Sequence, residues 1–134
     1  MKRFGVLFGL LAFALGPASA AELAYLWDII TKPAYKHSLN TIVAGQPVDP
    51  WVKGLLKGDD GVSGPGKDVT IGQSKFELYN ACEPHNCGGN FLYVLFTPGG
   101  GQAWAVFTKE GKIVRYYGHP DSAKQRALKN ATVQ

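Results

Sequence analysis

Cysteine is scarce in this chain, with two among 134 residues. Two sulfurs are too few for a multi-disulfide scaffold or for a four-cysteine zinc site. Charge is sparse as well, since Asp, Glu, Lys and Arg make up 18% of the chain. Hydrophobic residues reach 46% and aromatics 12%, which is not the composition of a disordered chain. There is no P-loop, no G-x-S-x-G and no H-E-x-x-H, so the commonest nucleotide, hydrolase and zinc-protease signatures are missing. Internal repeats and low-complexity tracts are missing too. The length fits one domain with a real core and leaves no room for a second.

The one long apolar run lies at the start. Met1-Lys2-Arg3 precedes an apolar stretch from Phe4 to Leu15, and Gly16-Pro17-Ala18-Ser19-Ala20 follows. A basic start, an apolar stretch of about 7–15 residues and an A-x-A end make a secretory signal peptide. A membrane span needs about 20 apolar residues, so the run is too short for an anchor. Cleavage is expected after Ala20, and no Cys follows to carry a lipid. The signal is residues 1–20 and the mature domain residues 21–134. Removing Lys2 and Arg3 lowers the formal charge from +4 to +2. That excess does not support nucleic-acid binding, and no later segment is long enough to span a membrane. The expected location is periplasmic. In an oxidising compartment Cys82 and Cys87 are expected to pair.

Leu23, Leu26, Trp27 and Ile30 recur at helical spacing and predict one short helix. Tyr35, Leu39, Ile42 and Val43 predict a second, with Pro33 at the junction and Gly45, Pro47 and Pro50 marking its end. A loop rich in Gly and Asp is expected from Gly58 to Gly66. The period then becomes that of strands: Val69–Ile71, Phe76–Ala81, Phe91–Phe96, Ala103–Phe107 and Ile113–Tyr117. Short turns join them, so they are expected to pair antiparallel. Pro120 to Asn130 reads as a last helix, with Asp121 or Ser122 at its start. The fold class is α+β, a central antiparallel sheet of about five strands flanked by two N-terminal helices and one short C-terminal helix.

The informative stretch is Cys82-Glu83-Pro84-His85-Asn86-Cys87-Gly88-Gly89, between two expected strands. A disulfide there closes a very small ring, worth about 2 kcal/mol by loop-closure entropy. Its larger effect is to fix the loop's shape. Pro84 fixes φ just before His85, and Gly88-Gly89 let the chain turn back. On spacing alone, the segment reads equally as a stapled hairpin tip with a solvated His. A metal site of Cys82, His85 and Cys87 lacks a fourth ligand and needs thiolates. Haem attachment wants His directly after the second Cys, a redox motif wants C-x-x-C, and a Cys nucleophile must be free. His37 reads as an exposed helix residue, His119 as a turn residue and Asp59-Asp60 as solvated. Trp27, Trp51 and Trp104 read as core. No catalytic set, metal site or cofactor is expected, so the chain reads as a binding protein and not an enzyme.

The loop Cys82-Glu83-Pro84-His85-Asn86-Cys87 resembles that of the periplasmic inhibitors of vertebrate lysozyme, the Ivy family, in which it is commonly Cys-Lys-Pro-His-Asp-Cys. Pro50-Trp51-Val52 resembles the family's Trp-Val segment. Val114-Arg115-Tyr116-Tyr117-Gly118 with Pro120 resembles its last strand and turn. The resemblance runs in order along the whole mature chain. It implies a central antiparallel sheet flanked by helices and competitive inhibition of c-type lysozyme. It also implies that His85, held by a Cys82–Cys87 bridge and Pro84, enters the cleft and contacts the catalytic carboxyls. Because the family includes dimers, a homodimer is possible. Glu83 stands where the family has Lys, and Asn86 where it has Asp. The alternative partner is therefore an endogenous lytic transglycosylase, with weak or no inhibition of lysozyme.

Overall fold

The computed structural model describes Gly16 and residues 23–59 and 61–134. The expected signal segment, Gly16 apart, lies outside these residues, as does Asp60. Three short helices open the chain: α1 (Leu26–Ile29), α2 (Pro33–Val43) and α3 (Pro50–Lys57). Six strands follow: β1 (Val62–Ser63), β2 (Lys67–Ile71), β3 (Ser74–Cys82), β4 (Phe91–Phe96), β5 (Ala103–Lys109) and β6 (Lys112–Tyr117). Helix α4 (Ser122–Ala131) ends it. The sheet runs β1-β3-β4-β5-β6, with β2 beside β1 along the same edge of β3, and every pairing is antiparallel. The α+β architecture expected from the sequence is the one found.

Three details differ from expectation. Pro50, read as part of a break, is the first residue of α3. The missing proline N–H costs nothing there, because the first helical N–H groups have no partner inside the helix. The loop from Gly58 to Gly66 contains β1, whose Ser63 Oγ accepts the Leu26 N–H at 2.8 Å. Trp27 is 47% exposed and is not core. Leu26, Ile29 and Ile30 are the buried residues of that turn, so the apolar stripe is offset from Trp27. Trp51 and Trp104 do pack in apolar surroundings.

Both faces of the sheet are covered. Tyr79, Leu92, Val94, Phe96, Ala105 and Phe107 face α1–α3. Phe76, Leu78, Leu95 and Val106 face α4 through Leu128 and Ala131. Register sets this division, since Tyr79 pairs with Val94 and Leu78 with Leu95, and neighbours along a strand point to opposite faces. Asp121 caps α4 by accepting the Lys124 N–H at 2.9 Å. Hydrogen bonds from Lys124 hold the Asp121 carboxyl below its ordinary range. The Lys124 ammonium also lies 4.6 Å from the Trp104 ring centre, a cation–π distance.

Phe96 joins the sheet to the helices. It is fully buried, with the Tyr35 ring at 5.0 Å and the Tyr79 ring at 5.9 Å. Tyr35 Oη donates to Glu77 Oε2 at 2.7 Å, and burial together with that bond pushes the phenol well up. Gly100 (φ +80) lies against the Tyr35 ring, where a Cβ would overlap it. Phe96→Ala is expected to cost about 3–5 kcal/mol, seen as a lower urea midpoint. Trp27→Ala, on an exposed side chain, is expected to stay within about 0.5 kcal/mol of wild type.

Candidate functional site

The β3–β4 connection begins where the ladder ends. Cys82 pairs with Phe91, and Glu83 N–H adds one more bond to the Asn90 carbonyl at 3.0 Å. Beyond that point the chain makes a tight turn, with Asn86 N–H donating to the Glu83 carbonyl at 3.0 Å. Pro84 occupies the first central position and His85, at φ +62, the second. That is the pattern of a type II turn, which takes Pro first and needs positive φ second, usually from Gly or Asn. A side chain with a Cβ pays about 1–2 kcal/mol for that conformation. His85 is therefore held where the turn itself prefers a glycine.

Cys82 and Cys87 are bonded, with Cα atoms 5.1 Å apart. Cys82 is buried at the end of β3, and Cys87 is exposed on the loop. The bridge thus ties an exposed turn to the edge of the core. Its sulfurs are neither thiolate ligands nor nucleophiles. Across the turn, Asn86 Nδ2 donates to Glu83 Oε2 at 2.9 Å. Glu83 and Asn86 are thus partners of each other. The His85 side chain is exposed, and among the described residues no hydrogen bond occupies its ring.

The loop is braced from the neighbouring β5–β6 turn. Gly111 N–H donates to the Gly89 carbonyl at 3.1 Å, and Glu110 N–H to Asn90 Oδ1 at 3.0 Å. Thr108 Oγ1 donates to the Gly89 carbonyl at 2.9 Å and accepts the Phe91 N–H at 3.1 Å. Asn90 and Thr108 are buried polar residues, 5% and 2% exposed, and both are satisfied by this seam. Gly89 fits because a Cβ there would overlap the Gly111 nitrogen. Sequence reasoning reached the loop but missed Asn90 and Thr108. Their partners across the seam lie 17–20 residues away, while Asn90 Nδ2 also donates locally to the Asn86 carbonyl at 3.2 Å. The only local signal is a polar residue just before β4 and another near the end of β5.

The other candidates do not gather here. His37 is exposed on α2 and lines a cleft of about 260 Å³ in which it is the only ionisable residue. His119 is exposed at φ +52, just after β6. Asp59 follows α3 in an exposed turn. Among the described residues, no three His, Cys, Asp or Glu side chains cluster as a metal site, and no helix is long and apolar enough to cross a membrane.

The seam makes a testable claim. Gly89→Ala is expected to destabilise the protein by about 1–3 kcal/mol and to speed hydrogen exchange at the Gly111 amide. Reducing the disulfide is expected to cost about 2 kcal/mol while leaving the β3–β4 ladder paired. Thermal melts and amide exchange with and without reductant read both.

Comparison with known proteins identifies the family. The family described as inhibitor of vertebrate lysozyme (Ivy) matches residues 53–132, a stretch that contains the whole loop and its seam. A Pseudomonas aeruginosa protein named inhibitor of vertebrate lysozyme is 33% identical over 60% of this chain and 50% of its own length. The Escherichia coli K12 protein of the same name is 30% identical over 54% of this chain and 43% of its own. An uncharacterised Yersinia pestis protein is 30% identical over 67% of this chain and 56% of its own. The chain thus spans about half the length of these relatives. On the match of residues 53–132, with the stapled loop inside it, the chain belongs to the Ivy family.

Proposed function

We propose that this protein is a periplasmic inhibitor of c-type lysozyme, which occludes the substrate cleft with the loop Cys82–Cys87 and presents His85 to the catalytic carboxyls. The observation that carries the reading is the turn geometry. A disulfide, a proline and a seam to the next hairpin hold one imidazole at an exposed tip with its ring unoccupied. Preorganisation of this kind raises affinity because little loop entropy remains to be lost on binding. The family and the names of the Pseudomonas and Escherichia relatives support the target.

The chemistry fits the partner. A retaining glycosidase holds two carboxyls about 5–5.5 Å apart. One is protonated and the other ionised near neutral pH. An imidazole carries two ring nitrogens aimed in different directions, so one ring can bond to both carboxyls. The loop contains no glycosidic bond, so it occupies the cleft without being cleaved. The protein acts by binding and is not itself an enzyme. Residues 1–20 serve as the signal peptide and residues 21–134 as the inhibitor domain.

A second reading is favoured by Glu83. Its carboxylate stands at the tip where the family has Lys, close to where the target's acids would lie. Like charges there disfavour a c-type lysozyme unless a basic rim neutralises Glu83. The alternative target is an endogenous lytic transglycosylase.

Titration of a c-type lysozyme against a cell-wall suspension tests the first reading, with stoichiometric loss of lysis as the expected result. His85→Ala is expected to weaken inhibition about tenfold or more, as loss of a central contact does, with little change in melting temperature. Inhibition by His85→Ala equal to wild type overturns the occlusion mechanism. No inhibition by folded, oxidised wild type overturns lysozyme as the target and turns the search to bacterial lytic enzymes.

A further inference from the structure

Three residues other than glycine have positive φ among the described residues: His85, Glu110 and His119. Two of them sit on the pair of turns that the Gly89–Asn90 seam joins. Glu110 and Gly111 are the central residues of the β5–β6 hairpin, between the paired Lys109 and Lys112, at φ +51 and +75. Positive φ at both positions is the type I′ turn, which favours Asn-Gly, Asp-Gly or Gly-Gly. Glutamate is a poor choice for that backbone. Nor does its side chain repay the strain within the fold. It is exposed, and among the described residues its carboxylate accepts no hydrogen bond and pairs with no cation.

Strained residues with idle side chains are found where a ligand or partner is clamped. His85 and Glu110 share that description, and their turns touch through Gly111 N–H to the Gly89 carbonyl and Glu110 N–H to Asn90 Oδ1. Size points the same way. A specific interface covers about 800 Å² and 20–30 residues on each partner. The six-residue loop is too small to supply that alone, so a partner seated on it also covers the turn in contact with it.

Local charge indicates what the turn meets. Glu83 and Glu110 stand on the two joined turns, and Lys109 is engaged by Asp49 at 3.4 Å. Lys112 is the remaining exposed cation of the hairpin.

We propose that Glu110 is a second contact residue of the target-binding surface, presenting its carboxylate to a basic side chain on the cleft rim of the enzyme that receives His85. This rests on the inhibitor reading above. It makes the β5–β6 turn a determinant of which enzyme is bound, separate from the imidazole that fills the cleft.

The experiment compares wild type, His85→Ala, Glu110→Gln, Glu110→Lys and Glu110→Gly for lysozyme inhibition, association rate at low and high salt, and melting temperature. Glu110→Gln is expected to weaken inhibition about 2- to 5-fold, the size of a rim ion pair. Glu110→Lys is expected to weaken it further, mainly through a slower association that salt partly restores. Glu110→Gly relieves the backbone and is expected to melt higher while inhibiting less well. A residue that served the turn alone would show the rise in melting temperature without the loss of inhibition. If His85→Ala weakens inhibition while all three Glu110 variants match wild type, this inference is wrong and the inhibitor reading stands. If wild type itself does not inhibit, the inhibitor reading fails and the role of Glu110 fails with it.

Discussion

Strands β3, β4 and β5 are apolar on both faces, and that forces the rest of the molecule to supply two covers. Phe96 and Val94 need one layer, while Leu95 and Val106 need another. The three short N-terminal helices form the first and α4 the second. Neither cover is a stable element alone, since isolated helices of this length are marginal in water. They persist because burial on the sheet stabilises them. Ties at the margins complete the arrangement, such as the Tyr35 phenol on Glu77 and the Tyr117 phenol on the Pro47 carbonyl at 2.7 Å.

The same central strands hold the loop. Cys82 is the last residue of β3 and is buried, so one end of the bridge cannot move without disturbing the ladder. Asn90 and Thr108 are buried polar groups that need partners, and they find them in the backbone of the two neighbouring turns. A buried polar group left unpaired costs more than its bond contributes when made. Those bonds therefore persist, and they hold the β3–β4 loop and the β5–β6 turn as one unit. Rigidity at the tip is a consequence of the core, with the disulfide as a local reinforcement.

Most of the architecture was legible because it rests on local pattern. The strand runs from Phe76 to Tyr117, the antiparallel meander and the C-terminal helix follow from period and turn residues. Helix α3 was not legible, because Pro47 and Pro50 signal a break as readily as a start, and which it is depends on Trp51 finding Phe107, 6.2 Å away. The exposure of Trp27 was also hidden. A short apolar cluster fits two helical phases, and only the sheet selects the one that buries Ile29.

For the candidate site, sequence alone determined the chemistry present: two cysteines with four residues between them, a proline that sets a turn, one histidine, and two glycines to return the chain. These depend on residue type and spacing within eight positions. Tertiary structure decided what is fixed and what faces outward. It put His85 and Glu110 at positive φ, joined their turns through Gly89 and Gly111, and paired Glu83 with Asn86. The bonds of that seam join residues 17 to 22 positions apart. They exist only once β4 and β5 are in register, and a linear pattern does not carry register between strands.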